Sequence, residues 1–140
     1  MIIKARVINY ENNNEVLLQT NDNIHSVIIP PKANGFGSSA NGGELLFLSL
    51  ATCYSNDIYR EASKMGIKVE KVEVEVLGEF GLEGEPANNI KYNVKVIANA
   101  NKKMINDLIH QTDKKAEIQN TLRFENIVRL NRAEIISTLK

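Results

Sequence analysis

Between Asn41 and Gly66 the chain reads NGGELLFLSLATCYSNDIYREASKMG, with apolar residues recurring every three or four positions, the period of an α-helix. On a helical wheel Phe47, Ala51, Tyr54, Ile58, Ala62 and Met65 fall into one stripe, the predicted core face. Asn41 is a suitable N-cap, Glu44 stands three residues later as in a capping box, and Gly66 supplies the glycine expected just past a C-terminus. A helix of this length spans roughly 35 Å. Its first half, Leu45 to Leu48 plus Leu50 and Ala51, is apolar almost all round. That pattern calls for cover on two sides, and in a chain this short a second copy of the chain is one source of it.

Ahead of the helix, residues 2–10 alternate loosely as a strand, and Val16 to Thr20 and Ile24 to Ile29 are two further strand candidates. Asn-rich turns separate them, so the three form an antiparallel meander that Pro30-Pro31 stops. After the helix, Val69 to Val76 alternates valine with charge, the mark of a strand buried on one face. Ile90 to Ala98 answers it across the long turn from Gly78 to Asn89, which predicts a hairpin. Asn101 to Ala116 reads as a helix with Met104, Ile105, Leu108 and Ile109 on its apolar stripe; Glu117 to Arg123 follows as a short helix or turn, and Ile127 to Ile136 as a final strand. The expected class is α+β, in a single domain over residues 1–140.

Seventeen basic and seventeen acidic residues balance and are intermixed, which removes the electrostatic case for nucleic acid or an anionic membrane surface. No apolar run approaches ~18 residues, and the N-terminal MIIKARVINY has no signal-peptide pattern. One cysteine excludes an internal disulfide and suits a reducing compartment, so a soluble cytoplasmic protein is expected. The loop KANGFGSSA contains neither a dinucleotide fingerprint nor a phosphate-binding P-loop. His25 and His110 lack metal-ligand spacing, so no metal or cofactor is expected.

That one cysteine, Cys53, lies off the apolar stripe, nearly opposite it, grouped with Ser49, Asn56, Asp57 and Arg60 and edged by Leu46 and Leu50. A cysteine kept only as a small hydrophobe belongs on the stripe. A partly polar cleft near a subunit interface is the alternative. Free cysteine has a pKa of about 8.5, so a reactive thiol needs a neighbour that favours the thiolate. Arg60, two turns along, is the candidate, in competition with an i,i+3 pair to Asp57 or an ordinary solvated salt bridge.

The Gly/Ser-rich loop, the Glu44-Leu45-Leu46…Leu50…Cys53 spacing and the valine/charge strand after Gly66 together resemble the OsmC/Ohr family of osmotically inducible and organic-hydroperoxide-resistance proteins, whose helix opens with ELLxxxLxxC. The resemblance implies an intertwined homodimer with active sites at the interface, and thiol-dependent reduction of organic hydroperoxides with regeneration by a dithiol. Three features depart from it. The family's second cysteine, in a C-P-x-x-x-x-L motif, falls on Ala116; its glutamate ten residues before the reactive cysteine falls on Gly43; and the turn YENNNE lacks the arginine of the β1–β2 region, Arg6 not being at a matching position.

Two functions follow as expectations. In the first, Cys53 is a one-cysteine thiol peroxidase, with Arg60 and Glu44 as candidate supporting groups and Leu46, Leu50 and Phe36 as an apolar collar for an organic hydroperoxide. An external thiol then restores the cysteine. In the second, the same homodimer binds a small apolar or thiol-reactive ligand without catalysis, the peroxidase machinery having been lost; taken singly, the blander readings are a buried inert thiol for Cys53 and a helix cap for Glu44.

Overall fold

In a computed structural model of the chain, the structure describes residues 1–124, 129, 131 and 132. The elements run β1 (Ile3–Tyr10), β2 (Asn13–Thr20), β3 (Asn23–Ser26), α1 (Gly42–Lys64), β4 (Lys68–Phe80), β5 (Ala87–Asn99), α2 (Lys102–Lys115) and α3 (Glu117–Arg123). This is the expected α+β order. The final strand expected over Ile127 to Ile136 lies outside the described residues, apart from Arg129, Asn131 and Arg132, which carry no secondary structure. No helix among the described residues is long and apolar enough to cross a membrane.

Contacts divide the chain into two compact units: Met1–Ser49 with Leu77–Ile90, and Leu50–Val76 with the described residues from Lys91 onward. In the first unit β1, β2 and β3 form an antiparallel meander, with Val7 opposite Val16 and Leu18 opposite His25. Two-residue loops join the strands, and each places an asparagine in the left-handed region, Asn12 at φ 59° and Asn21 at φ 51°. Asparagine tolerates that region better than most side chains. β2 starts three residues earlier than its apolar pattern suggested. Asn13 and Asn14 join the ladder because the Asn9 side chain donates to the Asn13 carbonyl at 3.0 Å and to Asn14 Oδ1 at 3.2 Å. β3 stops at Ser26 rather than Ile29.

Both ends of α1 follow from local chemistry. Asn41 Oδ1 accepts from the Glu44 backbone N–H at 2.9 Å, and Glu44 Oε2 accepts from the Asn41 N–H at 2.8 Å, the reciprocal pair of a capping box. At the other end Gly66 takes φ +64°; the Ile67 N–H bonds the Ala62 carbonyl at 2.9 Å and the Gly66 N–H bonds Ser63 at 3.3 Å. This is the Schellman closure, and a side chain at Gly66 would strain it.

The second unit holds the larger apolar core. Tyr54, Ile58 and Ala62 of α1 meet Ile67, Leu108 of α2 and Ala116, with Val72, Val74, Val94 and Val96 of the β4–β5 hairpin packed against them. Alternation along the hairpin leaves its charged residues outside. Tyr54 and Tyr92 pack as tilted rings, centroids 5.2 Å apart and planes at 55°, and the Tyr54 hydroxyl donates to the Ile109 carbonyl at 2.9 Å. Asn101 caps α2, accepting from the Met104 N–H at 3.0 Å.

Ile58 is fully buried at the centre of this core, so Ile58→Ala removes packed methylenes and leaves a cavity. A loss of about 3 kcal/mol in unfolding free energy is expected, read from urea denaturation followed by circular dichroism. A change under about 0.5 kcal/mol, the range of ordinary surface substitutions, would place Ile58 outside the stabilising core.

Candidate active site

α1 buries a wider arc than its apolar stripe. Asp57, expected on the polar side, is only 6% exposed, and Glu61 only 1%. Leu50, expected at the edge of an open collar, is 3% exposed. The reason is α3, which packs over that flank: the Gln119 side chain, itself buried, donates to the Leu50 carbonyl at 2.9 Å. On the Leu50 side, therefore, the cover comes from the same chain. Leu48 stays exposed.

Cys53 sits on the boundary this creates. It is half-buried, touches the edge of the apolar core, and turns its sulfur toward two carboxylates. Sγ lies 3.5 Å from Asp57 Oδ2, one helical turn away, and 4.0 Å from Glu117 Oε2 of α3. The Ile118 backbone N–H also reaches the sulfur. Burial raises the thiol pKa most; the Ile118 N–H lowers it, and the hydrogen bond to Asp57 with the negative charges of Asp57 and Glu117 raises it again. The net effect is to hold the proton on sulfur.

Arg60 stands beside this cluster but spends its charge on the acids. Its guanidinium bonds Asp57 Oδ1 at 3.0 Å, Glu117 Oε1 at 3.3 Å and Glu61 Oε1 at 3.3 Å. The structure thus brings Cys53 and Arg60 to one cluster, with Asp57 and Glu117 between them. Burial pushes the Asp57 carboxyl above its ordinary range, and Glu117 adds to this through a hydrogen bond and its charge, against the opposing pull of Arg60. Glu117 is held lower, first by its own backbone N–H at the start of α3. The sulfur and one oxygen each from Asp57 and Glu117 lie within 4.8 Å of one another. Arg60 bonds both carboxylates, so the three groups and the guanidinium form one mixed thiol–carboxylate cluster.

Glu61 is the buried hinge of the same network. Lys115 of α2 reaches Oε2 at 2.5 Å, and Lys64 reaches Oε1 at 2.7 Å. With Arg60, three cations surround one carboxylate, and its pKa falls to about 2, chiefly through the bonds from Lys115 and Lys64. Neither Glu61 nor Glu117 is visible as functional in the sequence. Position on the wheel gives the one available signal for Glu61, since it flanks the apolar stripe beside Leu50.

The remaining sequence candidates belong to the first unit. Glu44 is held in the capping box described above, Leu46 is half-buried with its carbonyl accepting from the Ser49 hydroxyl at 2.6 Å, and Phe36 is 65% exposed. A shallow cavity of about 200 Å³ in that unit is lined by Lys4, Arg6, Leu17, Gln19 and Ile24, and includes none of these three candidates. Gly43 stands where the sequence resemblance expects a glutamate. A Cβ there would lie 2.8 Å from Cε2 and 3.0 Å from Cζ of Phe80, whose ring pairs with Phe47 at 5.8 Å.

With this geometry in view, the model of the family described as OsmC-like protein matches residues 35–131. The chain belongs to the OsmC-like protein family. Among solved structures, this OsmC-like protein is similar to an OsmC-like protein from Mycoplasma pneumoniae, at 20% identity and TM-score 0.58, covering 86% of this chain and 87% of that one. It is similar to an OsmC-like hydroperoxide resistance protein from Jannaschia sp. CCS1, at 16% identity and TM-score 0.57, covering 94% and 93%. A third likeness is to an organic hydroperoxide resistance protein from Elizabethkingia anophelis, at 18% identity and TM-score 0.52, covering 88% and 89%. These likenesses establish the fold. Comparison with curated protein sequences gives no match.

Two outcomes test the surroundings of the site. Glu61 has its folded-state pKa depressed from an ordinary 4.5 to about 2, so its contribution to stability is present above the unfolded value and is lost as pH falls toward 2. The melting temperature is expected to drop over that interval in the wild type and to drop less steeply in Glu61→Gln, which starts lower at neutral pH because three cations lose their partner. Identical slopes would remove Glu61 from the network. Gly43→Glu is expected to destabilise by roughly 1–3 kcal/mol through overpacking, with Phe80→Ala in the same chain relieving most of the added cost. Strict additivity of the two substitutions in thermal melts would show that the ring does not occupy the glutamate's space.

Proposed function

We propose that this protein reduces organic hydroperoxides through Cys53, as a one-cysteine thiol peroxidase on a single OsmC-like domain spanning residues 1–140. The observation that carries the reading is the setting of Cys53: in a chain of this family, the thiol at the ELLxxxLxxC position is half-buried beside polar groups, with its sulfur turned to Asp57 and Glu117. Two of the similar structures are described as hydroperoxide resistance proteins, which supports the substrate class. The thiol attacks one oxygen of the hydroperoxide, the O–O bond breaks, an alcohol leaves, and a sulfenic acid remains on Cys53. Ala116 occupies the place of the family's second cysteine, so two equivalents of an external thiol return the sulfenic acid to the thiol, releasing water and a disulfide. In this reading Arg60 fixes the acids beside the sulfur, Glu44 serves the helix end, Leu46 and Phe36 are the proposed apolar contacts of the substrate, and Leu50, buried beneath α3, is a packing residue.

The active form is proposed to be a homodimer in a reducing, cytoplasmic setting. Ile3, Val7, Ile24, Phe80 and Leu82 of the first unit are each more than half exposed, an amount of apolar surface that calls for a partner. A second reading keeps the homodimer and drops catalysis, with the protein binding a small apolar or thiol-reactive ligand. It is favoured by one observation, that burial and the adjacent carboxylates raise the thiol pKa rather than lowering it.

Consumption of cumene hydroperoxide in the presence of dithiothreitol separates the two. The wild type is expected to turn over and Cys53→Ser to fall to the uncatalysed rate. Equal rates for the two proteins would leave the ligand-binding reading in possession.

A further inference from the structure

We propose that Asp57 is the catalytic base for Cys53, a Cys-x-x-x-Asp couple in which the carboxylate receives the thiol proton as sulfur attacks. The inference rests on the reading of Cys53 as the nucleophile, and it identifies the group that activates it.

The geometry is that of an oriented pair. Cys53 and Asp57 are one turn apart on α1, so their side chains stack on the same face, and Sγ lies 3.5 Å from Oδ2. The other oxygen, Oδ1, is fixed by Arg60 Nη1 at 3.0 Å. Oδ2 faces the sulfur, Glu117 shares a hydrogen bond with the same carboxyl, and burial at 6% exposure keeps the group from being levelled by solvent. Arg60 is in turn held by Glu61 and Glu117, and Glu61 by Lys64 and by Lys115 of α2. From α3 the site is faced by Glu117 and by the Ile118 N–H. Arg60 is therefore a positioning residue for the base.

Charge decides why Asp57 acts as a base and not merely as a suppressor. A free thiolate here would be a further negative charge beside Asp57 and Glu117, which the site disfavours. Passing the proton from Sγ to Oδ2 in the same step as S–O bond formation leaves the local charge unchanged. A carboxylate held above its ordinary range by burial and by Glu117 is also the stronger base, closer to the working pH. In the full step the proton moves from Sγ to Oδ2 and sulfur bonds the distal oxygen of the hydroperoxide. The O–O pair departs with the alkoxide, and Asp57 returns its proton to give the alcohol. Thiol plus hydroperoxide thus become sulfenic acid plus alcohol, with Asp57 regenerated.

Cys53 alkylation by iodoacetamide, followed from mildly acid to alkaline pH, tests the couple without any peroxide. The wild type is expected to show an acid limb that rises as Asp57 ionises, below the thiol titration, slowed in deuterium oxide. Asp57→Asn is expected to lose that limb and to match or exceed the wild type at alkaline pH, where the thiol is already ionised. Its cumene hydroperoxide rate is expected to fall by about 100-fold or more, with partial recovery in Asp57→Glu. An acid limb in a wild type that consumes no hydroperoxide upholds the couple while ending the peroxidase reading. A wild-type profile following one thiol titration, with no isotope effect, overturns the couple whether or not Asp57→Asn folds. So does an Asp57→Asn variant that reduces hydroperoxide as fast as the wild type or faster.

Discussion

A carboxylate buried to 1% exposure is tolerable only when cations reach it, and the second unit is arranged to bring three to Glu61. Lys64 and Arg60 come from the same helix. Lys115 comes from the last turn of α2 and so ties that helix end to α1. The consequence lies one residue further on: Ala116, fully buried, turns the chain with extended backbone at φ −65° and ψ 108°, and α3 begins with Glu117 and Ile118 at the sulfur of Cys53. The environment of the thiol thus depends on an ion cluster whose Arg60 bonds both acids beside the sulfur, Asp57 and Glu117.

That dependence distinguishes this site from one in which a cation faces the sulfur directly. Arg60 has three acid partners, and the charges that act on Cys53 are those of Asp57 and Glu117. A pre-formed thiolate is disfavoured by burial and by like charge, both of which act on the same side of the equilibrium. A raised thiol pKa leaves less thiolate at neutral pH, so chemistry here gains from a group that takes the proton as sulfur attacks. The competition between a peroxidase and a ligand-binding homodimer is therefore a question about proton transfer more than about whether the cysteine is present.

A second polar network works in parallel, with a structural part. The Tyr92 hydroxyl donates to Asp113, which also receives Arg123 Nη2 at 2.5 Å. Burial works to raise the Asp113 pKa, but the bonds from Tyr92 and Arg123 outweigh it and the net direction is down. Burial and the bond to Asp113 push Tyr92 up to about 12. This arrangement clamps α3 to α2 and to the hairpin, and so holds Glu117 where the site needs it.

Much of the fold was legible because its signals are local. The ends of α1 are written in Asn41, Glu44 and Gly66, whose cap bonds close within a few residues, and the hairpin is written in alternating valine and charge. Where β2 and β3 begin and end was less legible, since the Asn9 side chain recruits two polar residues that no apolar pattern marks. For the site, the sequence by itself determined the thiol, its place off the apolar stripe, and the neighbours one and two turns along the helix. Only the tertiary structure decided that Asp57 and Glu61 are buried, that Arg60 is shared among three carboxylates, and that Glu117, 64 residues away in the chain, faces the sulfur. The physical reason is that helical period determines which residues share a face, whereas the element packed on that face determines whether they meet water, an acid or a cation.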